Sequence, residues 1–405
     1  MVNTMQMQQK VIYADNNATT KIDPEVFEAM KPFLTDFYGN PSSIYKFGGQ
    51  VSAPIKKARE QVASLLGAEA EEIVFTSCGT ESDSTAIFSA LNICPKKKKI
   101  VISKVEHPAI LNLGKFFKEK GYKIAEVPVD KNGRIDMERL EEMVDIDTAI
   151  VSIMWANNET GNIYPVEKIA EVAHAKGAMF HTDAVQAAGK IPINLKSSKI
   201  DMLSISGHKL HAPKGVGVLY VRKSTRFKPF LIGGHQESGK RAGTENVASI
   251  VGLGKACELA DKFMKFENTE VKKLRDYLES KILETIPKTK VNGDIENRVP
   301  NTTNIGFDYI EGESILLLLD RAGIAASSGS ACTTGSLEPS HVLRAMGIPY
   351  TSAHGSVRLS LSRFNTKEEM DYIVKTLIPT IAKLREISPY WNNPEPKCNK
   401  KCCDR

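Results

Sequence analysis

The stretch "TAIVSIMWANNETGNIYPVEKIAEVAHAKGAMFHTD", residues 148–183, decides the fold. It begins and ends on short β-rich runs, "TAIVSIMW" and "GAMFHTD", and "PVEKIAEVAHAKG" between them reads as a helix. Strand, helix, strand is the unit from which a parallel sheet is built, because a parallel partner can be reached only by a crossover. The alternation continues outward in both directions, from about Val11 to Phe263. "EEIVFTS", "KKIVISK" and "YKIAEVPV" lie upstream, and "DMLSIS" and "GVGVLYVR" downstream. The expectation is an α/β fold with a mostly parallel sheet flanked by helices, whose functional residues sit beyond the carboxyl ends of the strands.

Farther on the pattern changes. A long charged helical stretch from about Cys257 to Leu283 is followed by strand candidates "TTNIGF" and "SVRLSLS", with helices around Ser314 to Arg321 and Lys367 to Glu386. This predicts a smaller α+β domain, joined by part of the N-terminal segment. The expected division is a large domain over residues 12–264, a small one over 265–390, and a polar, cysteine-containing tail over 391–405, which has too little apolar material to build a core. A chain of 405 residues is long for a single core, which agrees with two domains. There is no internal repeat.

The net charge of +6 is scattered, apart from "KKKK" at Lys96 to Lys99, so no basic stripe with interleaved aromatics argues for nucleic acid. The N-terminus "MVNTMQMQQK" lacks an apolar signal region, and no apolar run is long enough to span a bilayer. The chain reads as cytoplasmic, without a membrane partner. Seven cysteines, an odd number, suit a reducing compartment better than a disulfide framework.

Candidate chemistry gathers at the strand ends. In "SISGHKLHAPKGVG", Ser206, His208 and Lys209 follow the strand "DMLSI". Alone, Lys209 is an ordinary loop lysine. As a Schiff-base lysine it needs a carbonyl cofactor, pyridoxal 5'-phosphate (PLP), and that cofactor needs partners. Asp183 in "FHTDAVQAAGK", one strand-helix-strand step earlier, is a carboxylate that can face the pyridine nitrogen; a helix N-cap for "AVQAAGK" is an equal reading of the same residue. Gln186 can reach the phenolate oxygen from the same turn. "FTSCGTESDSTAIFSAL" offers Gly79 and Thr80 at a helix start, where backbone amides receive phosphate. His107 in "SKVEHPAI" is placed to stack on the ring and move protons, although a lone histidine is more often structural.

A last segment resists the structural reading. "SSGSACTTGS", Ser327 to Ser336, sets Cys332 among glycines and small hydroxyl residues with no hydrophobic face for a buried thiol to join.

Taken together, "DNNATT", "GNPSS", "TSCGTESD", "EHPAIL", "ANNETG", "HTDAVQAAGK", "SGHKLHAPKGVG", "RAGTENVASI", "SSGSACTTGSLEPSHVLRAMGI" and "GSVRLSLSRFNT" resemble the cysteine desulfurases, PLP-dependent transferases of fold type I. The wording after Cys332 is most similar to the NifS branch, associated with nitrogenase cluster assembly. The resemblance runs from roughly Ile12 to Arg385 and leaves out both termini.

The resemblance implies that Lys209 carries PLP as a Schiff base, Asp183 binds the pyridinium nitrogen, His107 stacks on the ring, and Gln186 and Asn158 contact the cofactor oxygen or substrate. It implies that Gly79, Thr80, Ser206 and His208 bind the phosphate, with Thr244 reaching it from the second subunit of a homodimer. Arg358 would grip the substrate carboxylate through two parallel hydrogen bonds. The implied reaction removes sulfur from L-cysteine, leaving L-alanine and a persulfide on Cys332. The acceptor would be a scaffold protein of the NifU or IscU type on which iron-sulfur clusters are built, and Cys332 would be a transient iron-sulfur ligand shared with it. The sequence departs from the family at Cys78 and His235, where glycine is frequent.

Two other readings stand beside this one. One is a selenocysteine lyase or related PLP enzyme acting on another amino acid. The other is a sulfur or metal carrier centred on "CNKKCC", in which Cys398, Cys402 and Cys403 are close enough to share a soft metal.

Overall fold

The computed structural model describes residues 11–328 and 339–391. A seven-stranded sheet holds β2 (Ile73–Thr76), β3 (Lys99–Ser103), β4 (Lys123–Val127), β5 (Thr148–Ser152), β6 (Met179–Asp183), β7 (Met202–Ser206) and β8 (Gly217–Val221), in the order β2-β8-β7-β6-β5-β3-β4. Only β8 runs against the others, so the sheet is mostly parallel, as the alternation predicts. β5 and β7 are buried at every position, which is why they read as continuous apolar runs rather than alternating ones.

The crossover between β5 and β6 shows how local sequence sets the fold. In the helix Val166–Ala175, Val166, Ile169, Ala170 and Ala173 fall on one face and are buried. Gly177 ends it at φ +66°, with its N–H donating to the His174 carbonyl and that of Ala178 to Ala173. This paired closure favours glycine and turns the chain back into β6.

A second apolar core forms around the antiparallel sheet of β12 (Ser356–Ser360), β10 (Thr302–Phe307) and β9 (Thr289–Val291), covered by the helices Lys272–Thr285, Gly312–Arg321 and Lys367–Ile387. β1 (Ile12–Tyr13) pairs in parallel with β11 (Ile324–Ala325), and Ala14 belongs to this second core. The next residues, 15–20, cross to the large sheet and bond to the turn after β7.

The charged stretch expected as one helix is two, Val247–Phe266 and Lys272–Thr285, joined by a π turn over Glu267–Val271. The wider turn buries both Glu267 and Val271 and lets Asn268 Nδ2 donate to the Lys190 carbonyl at 2.8 Å. No proline or glycine marks it, because the partners that stabilise it are distant in sequence.

Candidate active site

The carboxyl ends of β2, β3, β5, β6 and β7 open onto one cavity of about 350 Å³. Gly79, Thr80, His107, Asn158, Asp183, Gln186, Ser206, His208, Lys209 and Arg358 all line it. Thr244 does not; it is exposed on the single chain, where the resemblance assigned it to a second subunit. Cys332 lies outside the described residues, as do Cys398, Cys402 and Cys403.

At the end of β2, the turn Ser77–Cys78 leads into the helix Gly79–Ile93. A Cβ on Gly79 would come within 3.0 Å of Val185 Cγ2 and 3.5 Å of Ser206 Cβ, so the absence of a side chain lets this helix start sit against the turns after β6 and β7. Glu81 holds the turn by accepting from Ser77 N at 2.8 Å and from Arg241 Nε at 2.9 Å. Arg241, in the "RAGTEN" segment, carries no signal in the sequence for this role.

After β3, His107 caps the helix Pro108–Glu119, its Nδ1 accepting from Ala109 N at 3.2 Å. The ring proton therefore sits on Nε2. Burial, reinforced by the Lys209 charge, pushes the imidazole down to about 4, so the ring is neutral at physiological pH. The preceding residue, Glu106, is fully buried; it accepts from Ser103 Oγ, and Met154 N donates to both its oxygens at 3.1 Å. It ties β3 to the segment after β5.

Asp183 ends β6 and is buried, with Oδ1 accepting from Val185 N at 2.9 Å. "AVQAAGK" forms tight turns rather than a helix, so Asp183 is not the N-cap of one. Burial raises its carboxyl to about 6, opposed by the Val185 N–H and the Lys209 charge. Asp83 sits beside it, its Oδ1 3.6 Å from His181 Nε2, and burial and the neighbouring Asp183 drive its own carboxyl well upward.

Beyond β7, Ser206 passes into a tight turn that presents His208 and Lys209. Lys209 Nζ donates to the carbonyls of Asn17 and of Ala18, the latter at 2.6 Å. His208 Nδ1 lies 3.1 Å from Thr19 Oγ1, and burial pushes its imidazole down to about 4. Asn17 is the hub: besides its carbonyl, its Nδ2 donates to Asn158 O at 3.1 Å and to Thr302 Oγ1 at 2.8 Å, joining the two cores.

Arg358 comes from the middle of β12, opposite the large sheet. Its Nη1 donates to Asn158 O at 2.9 Å and its Nη2 to Asp15 Oδ1 at 2.7 Å, while Nε is buried with no hydrogen-bond partner among the described residues. The described flanks of the Cys332 segment end at this same place. Ser327 exchanges backbone hydrogen bonds with Arg358, and Ser340 caps the helix His341–Ala345 while bonding to buried Glu159.

The residues fit PLP. Asp183 offers a buried carboxylate that suits a pyridinium, the bare Gly79 turn suits a phosphate, and an amine stands on the same cavity wall. Arg358 lines the same cavity, and its Nε is a buried donor with no acceptor among the described residues, which suits an incoming carboxylate.

Residues 12–373 match the family model "Aminotransferase class-V". The chain is 60% identical over 386 residues to "Cysteine desulfurase NifS" of Azotobacter vinelandii, covering 95% of this chain and 96% of that one. It is 57% identical over 383 residues to a cysteine desulfurase of Nostoc sp., with coverage of 95% and 96%. Among solved structures it is similar to a "NifS-like protein" at TM-score 0.87 and 39% identity, covering 92% of this chain and all of that one. It is also similar to "SspA in complex with cysteine" at TM-score 0.78 and 34% identity, covering 88% of this chain and all of that one.

Proposed function

Because the chain belongs to the class-V aminotransferase family and, within it, to the cysteine desulfurases, we propose that the cavity at the strand ends is its active site, with the roles given below. The enzyme is PLP-dependent and takes sulfur from L-cysteine. The observation that carries the residue roles is the convergence of Lys209, Asp183, His107 and Arg358 on one cavity from four separate elements.

Lys209 would carry the cofactor through its amine, with Asp183 at the pyridine nitrogen, His107 on the ring face, and Gln186 and Asn158 toward the phenolate oxygen and the substrate. Gly79, Thr80, Ser206 and His208 would hold the phosphate, with the partner subunit's Thr244. When bound, PLP supplies a carbonyl for amine chemistry and a protonated ring that draws electrons from the substrate α-carbon. Arg358 orients L-cysteine by its carboxylate, and the relative whose structure holds cysteine supports that substrate. Lys209, held by the Asn17 and Ala18 carbonyls, takes the α-proton. The Cys332 thiolate then attacks the substrate sulfur: the carbon–sulfur bond breaks as a sulfur–sulfur bond forms. The electron pair stays with the carbon skeleton, which gains a proton and leaves as L-alanine.

The persulfide on Cys332 passes to an iron-sulfur scaffold of the NifU or IscU type, during which Cys332 serves as a transient cluster ligand. The similarity to a cysteine desulfurase named NifS supports sulfur donation for iron-sulfur clusters, and nitrogenase maturation is the finer part of the proposal. A homodimer is supported by large apolar side chains left exposed on the single chain, Tyr38, Ile44, Tyr45 and Ile232 among them. The second apolar core, built from Val271 onward together with Ala14, supports a separate small domain, although Val299, Val342, Leu343, Met346 and Ala353 pack into the large core. Free thiols at Cys78, Cys94 and Cys257 agree with a reducing cytoplasm.

The decisive experiment measures sulfide and L-alanine from L-cysteine with PLP and a reductant, for wild type, Cys332→Ala and Lys209→Ala. Equal amounts of both products from wild type and neither from the variants is the expected result. A fully active Cys332→Ala would overturn the persulfide step, and full activity of Lys209→Ala would overturn the base.

A further inference from the structure

Lys190 is a second buried amine, in the turn that carries Gln186. Its residue is 8% exposed, and its Nζ donates to Gln186 Oε1 at 2.8 Å and reaches Asn17 Oδ1 at 3.4 Å. Lysine ordinarily extends its ammonium to water. Here two fixed features prevent that. Gly189 at φ +72° brings the chain so close to the next layer that a Cβ there would meet Leu210 Cδ2 at 2.6 Å, and Asn268 of the π turn bonds the Lys190 carbonyl.

Gln186 completes the circuit. Its Nε2 donates to Asn17 O at 3.0 Å, the carbonyl that also accepts from Lys209. A backbone carbonyl only accepts, so the Asn17 contact sets the amide nitrogen toward Asn17 and its oxygen toward the Lys190 amine. The nitrogen has a second proton, and Gln186 lines the cavity.

We propose that Lys190 is a positioning residue for the desulfurase reaction: it holds the Gln186 oxygen, commits the remaining amide proton to the cofactor side of the cavity, and through that donor lowers the basicity of the linkage between Lys209 and PLP. The proposal rests on the reading that Gln186 faces the phenolate oxygen. An amide whose oxygen accepts a hydrogen bond, as that of Gln186 does from Lys190, is polarised and becomes a stronger donor. A stronger bond to the phenolate draws charge from it and weakens its hold on a neighbouring iminium proton.

The charged groups acting on Lys190 are Lys209, Arg358, Glu267 and, through its own titration, His211. Burial and the Lys209 charge push the Lys190 amine down to about 7, offset by Glu267. Lys190 and Lys209 also border a common cavity of about 30 Å³ on the far side of the turn, together with Glu267. The two amines therefore share an electrostatic environment even though only Lys209 meets the substrate.

The test is a spectrophotometric pH titration of the PLP-loaded full-length enzyme, following the absorbance change of the Lys209 linkage, for wild type, Lys190→Met, Gln186→Leu and the double variant. The expected result is a midpoint raised by about one unit in Lys190→Met, raised in Gln186→Leu, and not raised further in the double variant. If Gln186→Leu moves the midpoint and Lys190→Met does not, the proposal is overturned while the reading of Gln186 stands. No movement in Gln186→Leu overturns that reading and the proposal with it. A Lys190→Met shift that persists at full size in the Gln186→Leu background shows direct action and also overturns it. Should Lys190→Met fail to fold, Lys190→Gln is titrated against the same expectations, with a smaller upward shift because a donor to Gln186 is retained.

Discussion

Arg358 and Asp15, at opposite ends of the chain, form a partly buried ion pair of 2.7 Å between Nη2 and Oδ1. The pair fixes the guanidinium of a residue that lines the cavity, and Nε has no hydrogen-bond partner among the described residues. Lysine at position 358 would keep the charge and lose the fork. Arg358→Lys is expected to lower kcat/KM for L-cysteine by roughly 10- to 100-fold, mostly through KM, since charge-assisted hydrogen bonds contribute about 1.5–3 kcal/mol. Steady-state kinetics checks this. Asp15→Ala removes the partner of the buried guanidinium and is expected to destabilise the protein by about 1–3 kcal/mol in denaturant unfolding.

His107 has two roles that can be separated. Its Nδ1 caps a helix and its ring faces the cavity. Asparagine caps as well as histidine does but has no ring. His107→Asn is expected to leave stability within about 1 kcal/mol of wild type and to reduce kcat by roughly 100-fold. Thermal unfolding and turnover, measured on the same preparation, test the separation. An unchanged kcat would reduce His107 to a cap.

Glu106 makes stability depend on pH. Its carboxyl is raised from an ordinary value of 4.5 to about 8, chiefly by burial. Between those values the unfolded chain releases the proton and the folded one keeps it. The contribution is thus fully present below about pH 4.5 and is lost as pH rises through about 8. Glu106→Gln keeps the shape and cannot ionise. Across that window the stability of the variant relative to wild type is expected to rise with pH, with a slope on the order of 1 kcal/mol per unit. Denaturant midpoints at several pH values measure it, and a pH-independent difference would contradict it.

Much of the site was legible because it is local. The turns after β2, β3, β6 and β7 follow β-rich runs directly, so the sequence alone sets Gly79, His107, Asp183 and Lys209 on one edge of a parallel sheet. "TTNIGF" is the whole of β10. Asp183 shows the limit of local reading. Its residue type and position suit a cap equally well, and only the turn that replaces a helix at "AVQAAGK" removes that role.

Other residues of the site lie in motifs of the family resemblance but receive no role from the sequence. Asn17 joins Lys209, Gln186, Asn158 and Thr302 through both its backbone and its side chain, yet "DNNATT" serves only as one motif of the family resemblance and gives Asn17 no role. Arg241 reaches Glu81, and Lys190 is held inside by a π turn that nothing in "FENTEV" announces.

The sequence by itself determined the strand and helix order, the edge of the sheet that bears the chemistry, and the set of residue types a PLP enzyme needs. These follow from side-chain period, turn chemistry and the position of each motif relative to its own strand. The tertiary structure decided which side chains are buried together. The pairing of Arg358 with Asp15, the neutrality of His107, the raised carboxyls of Asp183 and Glu106, and the amide orientation of Gln186 all depend on it. Desolvation and hydrogen bonding act through distance and burial, and those are fixed only when segments hundreds of residues apart close on one another.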